Sequence, residues 1–448
     1  MNKIMTLSLQ GYKALGEEQD LDITKLSILS GCNSGGKSSF MQVLLMMKQT
    51  IESSYSDGAL LINGEHVKHN SVAQMLSVLE SGKKSKNIKF TYKTNKERVS
   101  VCYQKNRSIG LVPMYVSLQN KEFEQELTIS QSKAPTKLEE RLPEHVLSFI
   151  DAFDSKGRWK VVKKNCFLEL RWQPSKHRGI GFSTGVAPCM KIEELCKKLI
   201  HLPGLRGNPE RMYKKLPVGN VFFGTFEKYT ASILSKWAST PSLKSKLEQL
   251  EGYLKTLGLC EYVETNRIDD TNFEILVSRL PISEGSTRTK NNLVNIADVG
   301  FGVSQTLPIL VALVAAKDGQ IVYIEQPEIH LHPNAQWYFA NIIADAMSRG
   351  VIVVIETHSS ILIRGIQTLV AKGVIKDGDD VSLHWFSRNE TSGFASISSS
   401  SLDEIGAFGD WPADFDDVAL RAEQEYLDAV EARYSESFSD TFESYEHA

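Results

Sequence analysis

Apolar and polar positions alternate loosely along residues 4–15, and residues 25–30 close on the apolar-rich run Leu-Ser-Ile-Leu, so the first thirty residues predict strands. A glycine-rich stretch follows, and from Ser38 to Ile51 the residues Phe40, Val43, Leu44 and Met47 fall at helical spacing. The glycines therefore join a strand to a helix. Between about 86 and 133, short segments rich in Val, Tyr, Phe and Thr alternate with turn residues and predict antiparallel strands. Leu138, Leu142, Val146 and Phe149 predict an amphipathic helix, residues 159–172 a strand, and Leu243, Leu247, Leu250, Leu254 and Leu257 a second helix. That leucine set spans only about two heptads, fewer than a coiled coil needs. Beyond residue 295 the pattern is helix (303–316), strand (320–325), helix (334–347), strand (351–356), helix (360–372) and strand (381–387). Such alternation predicts a largely parallel sheet covered on both faces. No internal repeat is found.

A chain of 448 residues with 42% hydrophobic and 23% charged positions has the size of two or three domains and the composition of an ordinary globular protein. Its longest clean apolar run, residues 307–316, falls far short of the roughly 20 residues of a spanning helix. The first fifteen residues lack a signal-peptide core, so a cytoplasmic location with no membrane contact is expected. Cys32, Cys102, Cys166, Cys189, Cys196 and Cys260 are scattered without paired spacing, which predicts free thiols rather than a metal or disulfide framework. Charge is uneven. Residues 403–448 hold 14 acidic residues against Arg421 and Arg433, a tail of −12, and the net charge of −3 leaves +9 for the body. That asymmetry fits an interaction tail, a body that approaches nucleic acid, or a solvated surface.

Gly31-Cys32-Asn33-Ser34-Gly35-Gly36-Lys37-Ser38 matches the full G-x-x-x-x-G-K-[ST] pattern between a predicted strand and a predicted helix, with Ser39 next in line. In such a loop backbone N–H groups wrap a phosphate, Lys37 reaches the outer phosphates and Ser38 offers its hydroxyl to Mg²⁺. The apolar strand at 320–324 ends in Glu325, where a P-loop protein places its second magnesium-holding acid. Nearly 290 residues separate Glu325 from Lys37, so the nucleotide domain is expected to be interrupted by a large insertion. Gly302 and Ser304 precede or open a predicted helix, a second phosphate-binding N-terminus. His358 closes the following strand. His330 and His332 lack a third ligand, and no metal is assigned to them. A run of cations from Lys156 to Arg178, interleaved with Trp159, Phe167 and Trp172, suits either nucleic acid or solvent.

These elements resemble the ABC-type ATPases, in the branch shared with SMC-like and overcoming-lysogenization-defect (OLD) proteins. By that resemblance Gly302 and Ser304 belong to the signature motif and His358 is the switch histidine. The resemblance narrows on residues 61–64 (LING), 202–211 (LPGLRGNPER), 298–308, 324–333 (IEQPEIHLHP) and 409–412 (GDWP), whose order is similar to that of a family of bacterial ATPases including PtuA of the Septu anti-phage system and of some retron systems. It implies a mixed, largely parallel ATPase core with antiparallel strands. The N-terminal part would span 1–135, an α+β or helical insertion 136–290, the C-terminal part 291–402 and an acidic tail 403–448. It also implies ATP and Mg²⁺ as cofactors, with Ser38 and Glu325 at the metal. The expected assembly is a homodimer or higher oligomer sandwiching ATP, working with an HNH nuclease of the PtuB type. DNA or RNA, or a retron reverse transcriptase with its DNA, are further candidate partners.

One departure concerns hydrolysis. Where ABC-type enzymes commonly carry a water-polarising glutamate, this chain has Gln326, which cannot accept a proton as a carboxylate does. Either Glu328 substitutes or turnover is slow; slow turnover is the expectation, because Glu328 lies beyond Pro327 and would have to point back into the site. Two other classes compete. A RecF-like DNA-repair ATPase is one. An OLD-type nuclease is the other, disfavoured because Asp414 and Asp416 form a lone acidic pair and little chain follows His358.

Overall fold

The computed structural model describes residues 1–55, 57–79, 81–121, 124–128, 158–173, 187–279, 292–389, 391–409 and 423–431, with residues 148 and 433 in isolation. The chain divides into a unit of residues 1–407 and a second of 408–448. In the second, residues 423–431 are helical. The helix around Leu138, the cations Lys156, Lys176 and Arg178, the 410–412 part of GDWP and the Asp414/Asp416 pair lie outside the described residues.

Two six-stranded sheets organise the first unit. The antiparallel one runs β2 (Gln19–Ile23), β1 (Met5–Gln10), β4 (Asn87–Lys93), β5 (Glu97–Asn106), β6 (Gly110–Asn120), β7 (Glu124–Thr128). The other runs β10 (Ile200–Leu202), β15 (Ile321–Glu325), β16 (Ile352–Glu356), β3 (Leu26–Gly31), β17 (Val381–Arg388), β18 (Ala395–Ser401). Its first five strands are parallel and β18 closes the edge antiparallel. A smaller antiparallel sheet holds β11 (Tyr213–Lys214), β12 (Val263–Arg267), β13 (Asn272–Ser278) and β14 (Leu293–Asn295), and β8 (Arg158–Lys164) pairs with β9 (Phe167–Gln173) as a hairpin. Among the described residues of the first unit the helices are α1 (Lys37–Glu52), α2 (Met190–Lys198), α3 (Thr230–Ser239), α4 (Lys244–Thr256), α5 (Phe301–Ala315), α6 (Pro333–Ser348) and α7 (Ser360–Ala371), apart from single turns.

The parallel strands are apolar because both faces are covered: β3 and β16 are buried at every position, and β15 at every position but Glu325. Helix α1 is buried on nearly every side. A helix so enclosed belongs to the core, and α1 shares one apolar cluster with Leu7 and Leu9 of β1, Val99 and Val101 of β5, and Leu29, Tyr323 and Val354 of the parallel sheet. The P-loop helix is thus clamped by both large sheets.

Three expectations shift. Residues 159–172, read as one strand, form two, because Asn165 adopts a left-handed conformation (φ 52°) and turns the chain. The stretch 136–290, read as an insertion, sends Ile200–Leu202 into the parallel sheet beside β15, since all three residues are buried there. The acidic tail, placed from 403, begins folded: Asp403 Oδ1 accepts from the N–H groups of Ile405 and Ala407. Among the described residues no helix is long and apolar enough to cross a membrane, and all six cysteines are free.

Phe386 on β17 joins the P-loop to the core. Its ring meets Phe40 of α1 edge-on at 6.4 Å, and its backbone passes so close to Gly31 that a Cβ there would lie 2.1 Å from the Phe386 carbonyl oxygen. Gly31 has φ 125°, so glycine is required on both counts. Phe386→Ala should lower unfolding free energy by about 3–5 kcal/mol, read as a shifted urea midpoint; an unchanged midpoint would mean that the P-loop does not depend on this contact.

Candidate nucleotide site

The P-loop leaves the buried end of β3 and enters α1 with Gly36 at the N-cap (φ 101°) and Ser34 also left-handed (φ 61°). It lines a cleft of about 960 Å³ with residues Ser34–Ser39, joined by Lys13, Gln42 and Arg388. Asn33 is exposed at the tip of the loop. Lys37 folds along the loop and donates to the carbonyls of Gly31 (3.0 Å) and Cys32 (2.9 Å). Burial pulls its ammonium below the usual lysine range, with Glu356 and Cys32 opposing.

Behind Ser38 stand two carboxylates. Glu325 and Glu356 end adjacent parallel strands at the same register position. Ser38 Oγ donates to Glu356 Oε2 at 2.8 Å, and the Tyr323 hydroxyl donates to Glu356 Oε1. Burial first, then the neighbouring Glu325, pushes Glu356 up to about 7. Glu325 goes the other way. Burial opposes it, yet hydrogen bonds hold its carboxyl below the usual range: His201 Nε2 lies 3.1 Å from Oε1, and Gly204 N donates to Oε2 at 3.0 Å. Hard oxygen donors suit Mg²⁺, so the Ser38 hydroxyl with these two carboxylates fits that ion.

The turn after β15 carries the residues of the hydrolysis question. Gln326 takes a left-handed conformation (φ 46°), donates its N–H to the Glu356 carbonyl at 2.8 Å, and its own carbonyl accepts from Arg206 at 3.4 Å. The turn tightens through Ile329 N to Gln326 O (3.3 Å) and Leu331 N to Glu328 O (3.0 Å). Glu328, beyond Pro327, is turned back toward the end of β16: its Oε1 accepts from the His358 N–H at 2.8 Å. Burial raises the Glu328 carboxyl, the His358 amide opposing. His358 itself is exposed, its imidazole held low by partial desolvation and then by the Lys37 ammonium.

Gly302 and Ser304 lie in the first turn of α5, where Ser304 Oγ donates to the Phe301 carbonyl at 3.3 Å. Neither is among the residues lining the P-loop cleft. Ser304 faces a separate cavity of about 440 Å³ with Arg206 and Glu227. Of the other candidates, His332 accepts from Asn334 N at 3.3 Å as a helix cap, and His330 stacks on Phe301 at 5.5 Å. Lys164 of the basic hairpin pairs with Glu169 at 3.2 Å. The structure therefore brings Lys37, Ser38, Glu325 and Glu356 together, pairs Glu328 with His358, and leaves Gly302 and Ser304 apart. Sequence reading passed over Glu356, His201, Lys13 and Arg388; only Glu356, polar at the end of an otherwise apolar run, left a signal.

Residues 220–363 match the family described as AAA ATPase domain. The matched segment holds Glu325, Gln326, Glu328, Glu356 and His358 and does not include the P-loop. Among curated protein sequences none matches it. Similar solved structures include an SMC head bound to the C-terminal winged-helix domain of ScpA (10% identity, 89% of this chain and 98% of that one, TM-score 0.44). Others are the SMC head domain from Thermotoga maritima (10% identity, 88% and 97%, TM-score 0.38) and a Pyrococcus furiosus Smc head with an extended coiled coil bound to the C-terminal domain of ScpA (8%, 95% and 98%, 0.41).

A carboxyl raised by folding stabilises the folded state fully below its unfolded value, and that stability is lost as pH rises through the folded one. For Glu356 the window runs from the ordinary 4.5 to about 7. Across it the wild type should lose on the order of 3 kcal/mol relative to Glu356→Gln, measured by urea denaturation without nucleotide or metal. Parallel pH profiles for the two proteins would contradict the assignment.

Proposed function

We propose that this chain is an ATP-binding, slowly hydrolysing regulatory subunit of an anti-phage defence complex, controlling an HNH nuclease of the PtuB type. The observation that carries the ATP-dependent assembly is the separation of Ser304 and Gly302 from the P-loop cleft. A protomer whose signature segment does not line its own phosphate cleft is suited to share a nucleotide with a second copy, Lys37 of one facing Ser304 of the other. The defence role rests on the ordered motifs LING, LPGLRGNPER, IEQPEIHLHP and GDWP.

In this reading the P-loop amides and Lys37 hold the phosphates. Ser38, Glu325 and Glu356 would hold Mg²⁺, which would neutralise developing phosphate charge when bound. Gln326 can orient water and cannot deprotonate it. Glu328, turned back to the His358 amide, is the available carboxylate, but burial and that hydrogen bond engage it. Slow turnover suits a switch, because bound ATP then reports its presence through assembly, and a ligand shifts an equilibrium only by its differential affinity for the two states.

Native mass measurement of the chain expressed with its neighbouring gene products should show an ATP-dependent increase in assembly, absent in Lys37→Ala and Ser304→Arg, and co-purifying nuclease. Protomers that bind ATP without associating would exclude the shared site. For the chemistry, Gln326→Glu should raise the turnover number about 100-fold and Glu328→Gln should abolish the residual rate. A fast wild-type enzyme indifferent to Gln326→Glu would rule out slow turnover by lack of a base.

A further inference from the structure

A buried histidine pair lies behind the magnesium-site carboxylates. His66 and His201 side chains are 0% and 1% exposed, and their Nδ1 atoms stand 3.0 Å apart. His201 Nε2 continues to Glu325 Oε1 at 3.1 Å. At the other end His66 Nε2 lies 3.4 Å from Glu52 Oε2. Glu52 also meets Lys48 at 2.6 Å and accepts from the Gly224 N–H at 3.0 Å.

A carboxylate only accepts, so the His201 nitrogen facing Glu325 carries the hydrogen, and the two facing Nδ1 atoms share one hydrogen between them. Burial, the largest influence on His66, favours its neutral form, with the Glu52 contact opposing.

We infer that His66 and His201 form a hydrogen-bond relay that aims the Glu325 carboxylate, with His201 a positioning residue for the metal site. The inference rests on the reading of Glu325 as a magnesium ligand. Three contacts make the relay rigid. The His201 ring stacks on Tyr323 at 5.3 Å and 11°, and Tyr323 in turn donates to Glu356, so one aromatic ring supports the orientation of both acids. Gly204 N pins the second Glu325 oxygen at 3.0 Å. The origin of the relay is held by α1: Gln49 Oε1 accepts from the N–H groups of His66 (3.2 Å) and Val67 (3.0 Å). The helix that presents Ser38 at its start thereby holds, three turns on, the backbone of the residue that begins the chain to Glu325. Both oxygen sources for the ion are referenced to one rigid element, and partners of this kind govern metal affinity.

The test is titration of the full-length protein with a fluorescent ATP analogue, in Mg²⁺ and in EDTA. His201→Phe keeps the ring stack and removes the donor; it should lower affinity about tenfold in Mg²⁺ and leave binding in EDTA unchanged. His201→Gln, whose amide nitrogen can stand in for Nε2–H, should recover most of the loss. His66→Leu should weaken Mg²⁺-dependent binding and His66→Asn, which keeps a hydrogen-bonding amide near Nδ1, should not. Equal weakening in EDTA, or wild-type binding by His201→Phe in Mg²⁺, would overturn the relay. If His201→Phe does not fold, the His66 pair decides by the same criterion. Glu325→Gln separates the two levels. If it leaves the Mg²⁺ dependence intact, the ligand reading falls and takes the relay with it; if it abolishes that dependence while the histidine variants do not, the relay alone fails.

Discussion

Two carboxylates, Glu325 and Glu356, end neighbouring parallel strands at one level, Glu356 buried and Glu325 partly so. Side by side and largely removed from water they cannot both hold charge without compensation. The surrounding structure answers this unequally. Glu325 receives His201 and Gly204 and stays ionised, whereas Glu356, pressed by burial and by its neighbour, is pushed up to about 7 and collects hydroxyls from Ser38 and Tyr323. A divalent cation arriving beside Ser38 would relieve the crowding, since it favours the ionised form of both acids. The metal preference of the site and the electrostatic tension within its protein frame have the same origin.

That arrangement works because its supports are core elements rather than mobile loops. Helix α1 lies between two sheets, carries Ser38 at its first turn and, through Gln49, holds the loop bearing His66. Glu356 and Glu325 sit on strands whose other positions are buried. Geometry at the phosphate end is therefore set by packing density, which allows little independent movement. Gln326 and Glu328 occupy a tight left-handed turn just outside this frame, tied by Arg206 and by the His358 amide. The shared site proposed above suits such an architecture, because the P-loop half is held in the core while Phe301, at the start of α5, is exposed.

Local patterns decided more here than long-range ones. Complete motifs and clean periodicity marked the P-loop, its flanking strand and helix, the strand ending in Glu325 and the alternating elements after residue 295, because these are properties of contiguous residues. Partner choice was invisible. Nothing near Ile200–Leu202 announces that three residues will extend the parallel sheet, since strand pairing depends on what lies alongside in space. The single strand expected over 159–172 became a hairpin through one left-handed asparagine, a signal too short to outweigh its apolar flanks.

Residue identity and spacing by themselves determined that this chain has a loop of the full G-x-x-x-x-G-K-[ST] pattern, an acid closing an apolar strand nearly 290 positions later and an amide directly after it. Which acid would touch Ser38 was decided only in three dimensions, because Glu356 reaches it across a strand pairing that brings together positions 318 apart. The direction of Glu328 likewise followed from a backbone turn and not from its place after proline. Composition can name the chemical groups available to a site, but their protonation, aim and company are set by burial and neighbours, and those exist only in the folded chain.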